Sequence, residues 1–200
     1  MLRARIAVLV SGGGTNLQAL IGAQSRGELK SGELALVVSS NDGAYALTRA
    51  ENAGIETAVV PRSEEDFEKR LIEILEQKRI DLIILAGFMC ILSEDFTRRY
   101  PRRIINVHPS LIPSFCGKGF YGLRVHRAAL DYGVKVTGAT VHYVNEIPDG
   151  GEIILQKAVS IEDGDTPETL QRRVMEEAEW QLLPRAAELA SAEIVKEREK

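Results

Sequence analysis

The 200-residue sequence has only two cysteines, no excess of basic residues and no long apolar run. Cys90 and Cys116 are too few for a disulfide framework or a four-cysteine zinc site, and we expect two free thiols. A net charge of −4 argues against a large nucleic-acid surface, because neutralising phosphates requires basic side chains. The first apolar run, residues 6–10, is too short for a signal peptide or a membrane span. We therefore expect a cytoplasmic protein without nucleic-acid or membrane partners.

The remaining composition is that of an ordinary globular domain. Apolar residues make up 44% of the chain and charged residues 27%. A chain of this length buries enough surface to fold without disulfides or metals. We expect one domain over residues 1–195 and a charged, frayed tail at residues 196–200.

Short apolar runs alternate with helical patterns through the first half of the chain. Continuous apolar runs are typical of strands that are covered on both faces, as in a parallel sheet. The runs occupy residues 6–10, 34–38, 57–60, 82–86 and 104–105. Further on, β-rich runs at 137–144 and 152–161 flank the turn Pro148–Gly151 and predict an antiparallel hairpin. The sequence thus predicts a single-domain α/β fold with a mostly parallel, Rossmann-like sheet and an antiparallel C-terminal hairpin.

Three helix boundaries are indicated as well. The segment Ser63–Asp66 resembles a capping box and predicts a helix that begins there. Thr166 followed by Pro167 predicts a second helix start. Pro184 is expected to kink or end that later helix, because proline lacks the N–H that a helix interior needs.

A glycine-rich segment follows the first predicted strand. Gly12–Gly14 allow backbone amides to approach an anion, and Thr15 and Asn16 add donors at the start of the next helix. This arrangement suits a phosphate monoester. Leu17 stands where a dinucleotide motif has its third glycine, which argues against NAD. A tight turn without a ligand remains the alternative on these residues alone.

Asn106 and His108 stand at the end of the last buried run, where ligands bind in open α/β sheets. Their spacing of two places both side chains on one face of an extended chain. A carboxamide beside an imidazole suits the stabilisation of an oxyanion, and Asp149 on its turn is the natural partner of the histidine. The simpler alternatives are a structural histidine and a turn aspartate. His126 and His142 are expected either to pack in the core or to support the side chains of the site. No metal is expected, because no HExxH motif or Cys/His cluster occurs.

Four segments together resemble the phosphoribosylglycinamide formyltransferase family of purine biosynthesis. They are Ser11–Asn16, Ala86–Met89, Ile105–Pro113 and Asp149–Gly151, and they follow the family's order over nearly the whole chain. The resemblance implies the formyltransferase fold and transfer of the formyl group of 10-formyltetrahydrofolate to the amine of glycinamide ribonucleotide. It implies that His108 is general acid and oxyanion stabiliser, that Asn106 holds the formyl oxygen, and that Asp149 raises the pKa of His108 and relays protons.

The same resemblance implies two binding segments for each substrate. Glycinamide ribonucleotide is expected at Gly14, Thr15 and Asn16 and at Glu176, Glu177, Ala178 and Glu179. The reduced folate is expected at Met89, Cys90, Ile91 and Leu92, at Asn106, and at Asn145, Glu146, Ile147, Pro148 and Asp149. These two small molecules are the expected partners of a monomer or weak homodimer.

The sequence departs from the family's pattern in two places. Many members have arginine where this chain has Glu64 and Cys90, so recognition of the anionic folate tail is expected to differ and to use Arg62. The loop 114–122 is longer than in many relatives, and its glycines predict a mobile lid over the substrates.

Three other functions are compatible with parts of this pattern. Formyltetrahydrofolate deformylase shares the core motif but usually carries an N-terminal extension, and methionyl-tRNA formyltransferase needs an RNA-binding domain for which this chain leaves no room. A non-catalytic nucleotide-binding module explains the glycine loop but leaves Asn106, His108 and Asp149 without a purpose.

Overall fold

The computed structural model describes residues 2–200. The strands of the described chain are β1 (Ala4–Val10), β2 (Gly32–Ser39), β3 (Glu56–Val59), β4 (Leu82–Leu85), β5 (Ile104–His108), β6 (Val136–Tyr143) and β7 (Ile153–Ser160). The helices are α1 (Thr15–Ser25), α2 (Tyr45–Asn52), α3 (Phe67–Gln77), α4 (Glu94–Arg99), α5 (Leu123–Tyr132), α6 (Pro167–Val174) and α7 (Trp180–Arg198). A π-helical turn, Met175–Glu179, joins α6 to α7.

The strands form one seven-stranded sheet in the order β3-β2-β1-β4-β5-β6-β7. β1 to β5 are parallel, whereas β6 runs antiparallel to β5 and β7 antiparallel to β6. All four residues of β4 are buried, as expected for a strand covered on both faces. The predicted α/β class, the parallel sheet and the antiparallel hairpin are confirmed.

Two apolar layers cover the faces of the sheet. On one face α1, α2, α6 and α7 pack against the strands, with Leu17, Leu170 and Leu183 fully buried. On the other face α3 and α4 contribute Leu71, Leu75 and Phe96. Each fully buried leucine or phenylalanine contributes about 1.5–3 kcal/mol relative to an exposed one. This double cover holds the carboxyl edge of the sheet rigid beneath the candidate site.

Two helix boundaries differ from expectation. Helix α3 begins at Phe67, and its N-cap residue Asp66 makes no side-chain capping hydrogen bond, so the capping box expected at Ser63–Asp66 is not formed. Pro184 lies inside α7 and does not end it. The buried face of α7, which includes Leu183, stabilises the helix by more than the one hydrogen bond that proline removes.

The charged C-terminal segment is largely helical. Helix α7 continues to Arg198, so the segment 196–200, which is expected to fray, includes the last three residues of this helix. Glu197 pairs with Arg103 at 2.7 Å, and Arg198 pairs with Asp81. Among residues 2–200, no helix is both long enough and apolar enough to cross a membrane.

Candidate active site

The candidate site is built on neighbouring positions of β5 and β6. Antiparallel pairing sets Asn106 opposite His142 and His108 opposite Thr140. Because side chains alternate along a strand, these four side chains share one face of the sheet. His108 and His142 are 4% and 1% exposed, so their ring nitrogens are available only to groups inside the site.

Asp149 reaches this face from the turn that follows β6. Its Oδ2 lies 3.4 Å from His108 Nδ1 and its Oδ1 lies 3.6 Å from His142 Nε2. The amide of Gly117 donates to the same carboxylate at 2.8 Å. The structure therefore brings together the three predicted catalytic residues and adds His142, which the sequence reasoning had placed only in a supporting role.

The Asp-Gly-Gly turn has the residues that its geometry requires. Asp149 has φ of 56°, a left-handed conformation that aspartate tolerates better than most residues. A Cβ on Gly150 would lie 2.6 Å from the side chain of Ile147. A Cβ on Gly151 would lie 1.7 Å from the Tyr143 carbonyl oxygen. The two glycines therefore let the turn pack closely enough for the Asp149 carboxylate to reach both histidines.

His108 has an acceptor at each ring nitrogen. Its Nε2 lies 2.9 Å from the Phe115 carbonyl oxygen, while Nδ1 faces the Asp149 carboxylate. An imidazolium, with two N–H donors, satisfies both acceptors. Burial lowers the pKa of His108, and the opposing effects of the Asp149 charge and the Phe115 carbonyl do not outweigh it. The net rise in the pKa of His108 that was expected from Asp149 is therefore absent while the loop covers the ring.

The Asp149 carboxyl is held in its ionised form. Burial by itself raises the pKa of Asp149, but contacts with His142, His108 and the Gly117 amide together lower it below its ordinary value. Asp149 is thus a fixed negative charge that favours a proton on the His108 imidazole.

The loop Ser114–Gly122 covers His108. Ser110 Oγ donates to the Ser114 carbonyl at 2.5 Å, Phe115 supplies the carbonyl on His108, and Gly117 binds Asp149. The loop therefore contacts two of the three candidate catalytic side chains, His108 and Asp149, directly.

The glycine loop lies after β1, and the sheet order places β4 between β1 and β5. Gly14 has φ of 73° and packs against α2, and Gly12 and Gly13 have open space around them. Asn16 Nδ2 donates to Glu179 at 2.7 Å, and Thr15 Oγ1 lies 3.9 Å from Met175 Sδ. These contacts tie the loop to the π-helical turn. Burial raises the pKa of Glu179, and the Asn16 hydrogen bond opposes that rise.

A cation on α2 also touches the glycine loop. Arg49 Nε donates to the Gly13 carbonyl at 2.8 Å, and Nη1 donates to Gln18 at 2.8 Å. The sequence reasoning missed Arg49, because no motif connects α2 with the loop and only the tertiary structure brings them together. An arginine at a glycine loop is suited to binding a phosphate.

The other residues expected to bind the ribonucleotide lie in different surroundings. Ala178 is fully buried in the core. Glu176 and Glu177 are exposed and line an open cleft of about 360 Å³ with Arg172 and Arg173. Of the four expected residues on the π-helical turn, Glu179 is the one hydrogen-bonded to the glycine loop.

The expected folate segment presents apolar side chains to solvent. Met89 and Ile91 are 53% and 78% exposed, while Cys90 is buried and Leu92 packs against the core. The Met89 amide donates to Ser11 Oγ at 2.9 Å, which joins this segment to the glycine loop. Arg62 Nη1 lies 3.5 Å from the Met89 carbonyl oxygen, beside the segment for which it was expected.

The second expected folate segment is a turn that leads into Asp149. The Ile147 amide donates to Asn145 Oδ1 at 3.0 Å, and Ile147 itself is exposed. Glu146 and Pro148 are also exposed. Asn145 and Glu146 line a cleft of about 320 Å³ that extends to Thr97 on α4.

Comparison with known proteins places this site in a family. The formyl transferase family profile matches residues 4–187. The chain is 40% identical over 184 residues to phosphoribosylglycinamide formyltransferase of Haemophilus influenzae, covering 90% of this chain and 84% of that protein. The chain belongs to the phosphoribosylglycinamide formyltransferase family. The resemblance expected from the sequence motifs is confirmed.

Solved structures of the formyltransferase family share the fold. The phosphoribosylglycinamide formyltransferase of Brucella melitensis superposes with a TM-score of 0.85 at 42% identity, covering 95% of this chain and 96% of that one. The chain is also 43% identical to the trifunctional purine biosynthetic protein adenosine-3 of Gallus gallus over 95% of its length, but spans only 19% of that protein. A formyltetrahydrofolate deformylase from Pseudomonas syringae gives a TM-score of 0.85 at 27% identity, covering 96% of this chain and 62% of that one.

Gly14→Ala is expected to damage the glycine loop of this formyltransferase-family chain. The new Cβ would lie 2.6 Å from Ala46 Cβ, and the left-handed backbone at Gly14 adds strain. We expect a loss of more than about 2 kcal/mol in the free energy of unfolding. Gly13→Ala is the matched control, because its Cβ meets nothing within 4 Å. Urea unfolding of both variants measures the difference, and equal stabilities would contradict the packing described.

His126 on α5 is expected to make the stability of the fold depend on pH. Its ring is fully buried, and neither nitrogen has a hydrogen-bond partner among the described residues. Burial, with a smaller effect of His108, lowers the pKa of His126 from 6.5 to about 4. The unfolded chain protonates His126 more readily than the folded chain does. The free energy of unfolding is therefore highest above pH 6.5 and decreases as the pH falls toward 4. The total decrease in the free energy of unfolding amounts to about 3 kcal/mol.

His126→Leu tests this expectation by removing the titrating group while keeping an apolar side chain. Urea unfolding between pH 4 and 7 should show a flatter dependence of the unfolding free energy than in the wild type. An unchanged slope would mean that His126 titrates alike in the folded and unfolded states.

Proposed function

We propose that this protein transfers the formyl group of 10-formyltetrahydrofolate to the amine of glycinamide ribonucleotide in purine biosynthesis. The observation that carries the proposal is the meeting of Asn106, His108 and the ionised Asp149 at the end of β5, with the anion-binding glycine loop two strands away on β1. Membership of the family and the names of its relatives support the same reaction.

The chemistry needs an oxyanion site and a proton path. The amine nitrogen attacks the formyl carbon, and the carbonyl oxygen becomes an oxyanion as the new C–N bond forms. An N–H of Asn106 and the protonated ring of His108 stabilise that charge, and Asp149 stabilises the imidazolium. When the bond from the formyl carbon to the folate N10 breaks, the proton lost by the attacking amine is returned to N10. No covalent bond to the protein forms.

The ribonucleotide is proposed to bind between the glycine loop and the π-helical turn. Its phosphate accepts from the amides of Gly14, Thr15 and Asn16, and Arg49 beside the loop adds a positive charge. Glu179, hydrogen-bonded to Asn16, borders the ribose or the amine. Glu176 and Glu177 lie farther out on the same turn, and Ala178 contributes backbone only, since its side chain is buried.

The reduced folate is proposed to lie between the two apolar segments. Met89 and Ile91 from one segment and Ile147 from the other expose apolar surface suited to a pterin ring. Arg62 replaces the missing arginines as the group nearest the anionic tail. The protein is proposed to work in the cytoplasm as a monomer or weak homodimer, without metal, nucleic acid or membrane.

The loop Ser114–Gly122 is proposed to act as a lid. The Phe115 carbonyl occupies His108 Nε2, the nitrogen that the formyl oxygen needs, so the loop must withdraw before transfer. Amide hydrogen exchange of residues 114–122 is therefore expected to change when the ribonucleotide and a non-reactive folate analogue bind together. Identical exchange with and without the two ligands would contradict a lid.

An acceptor-dependence assay tests the proposed reaction. Consumption of 10-formyltetrahydrofolate is measured with and without glycinamide ribonucleotide, using His108→Ala as the blank. Consumption that requires the ribonucleotide supports the transferase. Formate release without the ribonucleotide would favour a formyltetrahydrofolate deformylase, an enzyme that has the same fold. Binding of the ribonucleotide without either activity would favour a nucleotide-binding module.

A further inference from the structure

His142 lies against the site without an assigned part in the reaction. It is 1% exposed and stands directly opposite Asn106 in the β5–β6 pair. Three polar groups surround its ring: the Tyr143 carbonyl, the Asn106 carboxamide and the Asp149 carboxylate. His108 is the other titratable side chain of this cluster, held on the far side of Asp149.

The Tyr143 carbonyl sets the tautomer of the His142 ring. Its oxygen lies 2.8 Å from Nδ1, and a carbonyl can only accept, so Nδ1 carries the hydrogen. In the neutral ring Nε2 is then a bare acceptor. Gly151 holds this carbonyl in place, because its Cα packs so tightly on the oxygen that a Cβ would lie 1.7 Å away.

The bare Nε2 sets the direction of the Asn106 amide. Asn106 Nδ2 lies 3.3 Å from His142 Nε2, and one of its N–H groups donates to that lone pair. The reversed amide would place the carboxamide oxygen against the lone pair, which is repulsive. One N–H of Asn106 is thus used by His142, and the second N–H remains for an oxygen in the site.

Asp149 competes for the same ring nitrogen. Its Oδ1 lies 3.6 Å from His142 Nε2 and would bind that atom only if it carried a proton. A protonated Nε2 would face the Asn106 N–H donor to donor and would favour the reversed amide. Asn106 Nδ2, at 3.3 Å, lies nearer to Nε2 than Asp149 Oδ1 does at 3.6 Å, so the geometry favours the arrangement in which Nε2 accepts from Asn106.

From this geometry we propose that His142 is a positioning residue for formyl transfer: its neutral Nδ1–H tautomer orients the Asn106 carboxamide so that an N–H points to the formyl oxygen. The inference rests on the proposed function for its consequence in catalysis. The tautomer and the amide direction are properties of the free protein and are measured without substrate.

Three substitutions separate the two hydrogen bonds of His142. His142→Phe removes both, His142→Asn keeps a donor near the Tyr143 carbonyl but no acceptor for Asn106, and His142→Gln keeps an acceptor near the position of Nε2. We expect His142→Phe and His142→Asn to lower kcat about tenfold or more with KM for both substrates within about twofold, since an oriented donor acts on the transition state. His142→Gln should recover most of kcat.

A double-variant cycle distinguishes positioning from a general structural effect. In an Asn106→Ala background, His142→Phe should cost little further kcat, because the group that it orients is gone. In an Asp149→Asn background, His142→Phe should lower kcat by the same factor as in the wild type. An undiminished cost in the Asn106→Ala background, or no cost in the wild type, would overturn the proposal.

Nitrogen-15 NMR of the free protein tests the geometry directly. The His142 ring should show a protonated Nδ1 and an unprotonated Nε2, and the side-chain amide signal of Asn106 should shift in His142→Phe but much less in His142→Gln. A proton on Nε2, or an Asn106 signal indifferent to both substitutions, would contradict the inference. Absence of ribonucleotide-dependent transfer in the wild type would instead refute the proposed function. The NMR spectrum would then decide by itself whether His142 orients Asn106.

Discussion

His108→Ala is expected to lower kcat/KM by about 10²–10³, equivalent to about 3–4 kcal/mol of transition-state stabilisation. The imidazole is buried beside an ionised carboxylate, and in the proposed mechanism it stabilises the developing oxyanion. Because that charge exists only in the transition state, the loss should appear mainly in kcat and leave KM for the ribonucleotide nearly unchanged. Steady-state kinetics with both substrates measures the two effects.

The control for His108→Ala is its fold and its ligand binding. The Phe115 carbonyl loses its donor, so a small drop in melting temperature is expected while ribonucleotide binding persists. Turnover within a few-fold of the wild type in this folded variant would refute the role of His108. Loss of ribonucleotide binding would instead mean that the histidine helps to form the binding site.

Asp149→Asn is expected to cost about 10² in kcat, because the imidazolium loses its fixed counter-charge while the side chain keeps its size. Asparagine also tolerates the left-handed conformation of residue 149, where φ is 56°, so backbone strain does not contribute to the change in kcat. Asp149→Ala, by contrast, combines the charge effect with that strain.

The pH profile of Asp149→Asn gives the sign of the interaction. In the wild type the Asp149 charge opposes the lowering of the pKa of His108 by burial. Removing the charge should lower the pKa of His108 further, so the imidazolium is lost at a lower pH. Activity that requires the imidazolium should then begin to fall at lower pH on the alkaline side of the profile. An alkaline limb at the wild-type position would remove Asp149 from the control of His108.

Sequence patterns predicted the elements well where local chemistry decides. The continuous apolar run at β4 and the turn at Asp149–Gly151 were both interpreted correctly, because burial on two faces and tight turns leave signatures in adjacent residues. The helix expected to start at Ser63–Asp66 starts at Phe67, and Pro184, which is expected to kink or end its helix, does not end it. At Pro184 the burial of one face of α7 outweighed the local preference of proline.

The sequence is enough to single out Asn106, His108 and Asp149 as candidates, but it does not give the distances between them. Neighbouring positions of one strand end are predictable from a spacing of two, and a glycine-bounded aspartate is recognisable as a turn. Arg49 left no such signal, since its partner loop lies 36 residues earlier in the chain. The part of His142 in orienting Asn106 depends on strand register, which the sequence does not show.

The sequence alone thus determined the α/β architecture, and it predicted the glycine loop and the three candidate catalytic side chains. Those properties depend on residues close together in the chain, where backbone preference and alternation act directly. Only the tertiary structure decided which ring nitrogen faces which acceptor and that burial outweighs the Asp149 charge at His108. Desolvation and hydrogen-bond geometry arise from groups brought together by folding, and no single segment carries them.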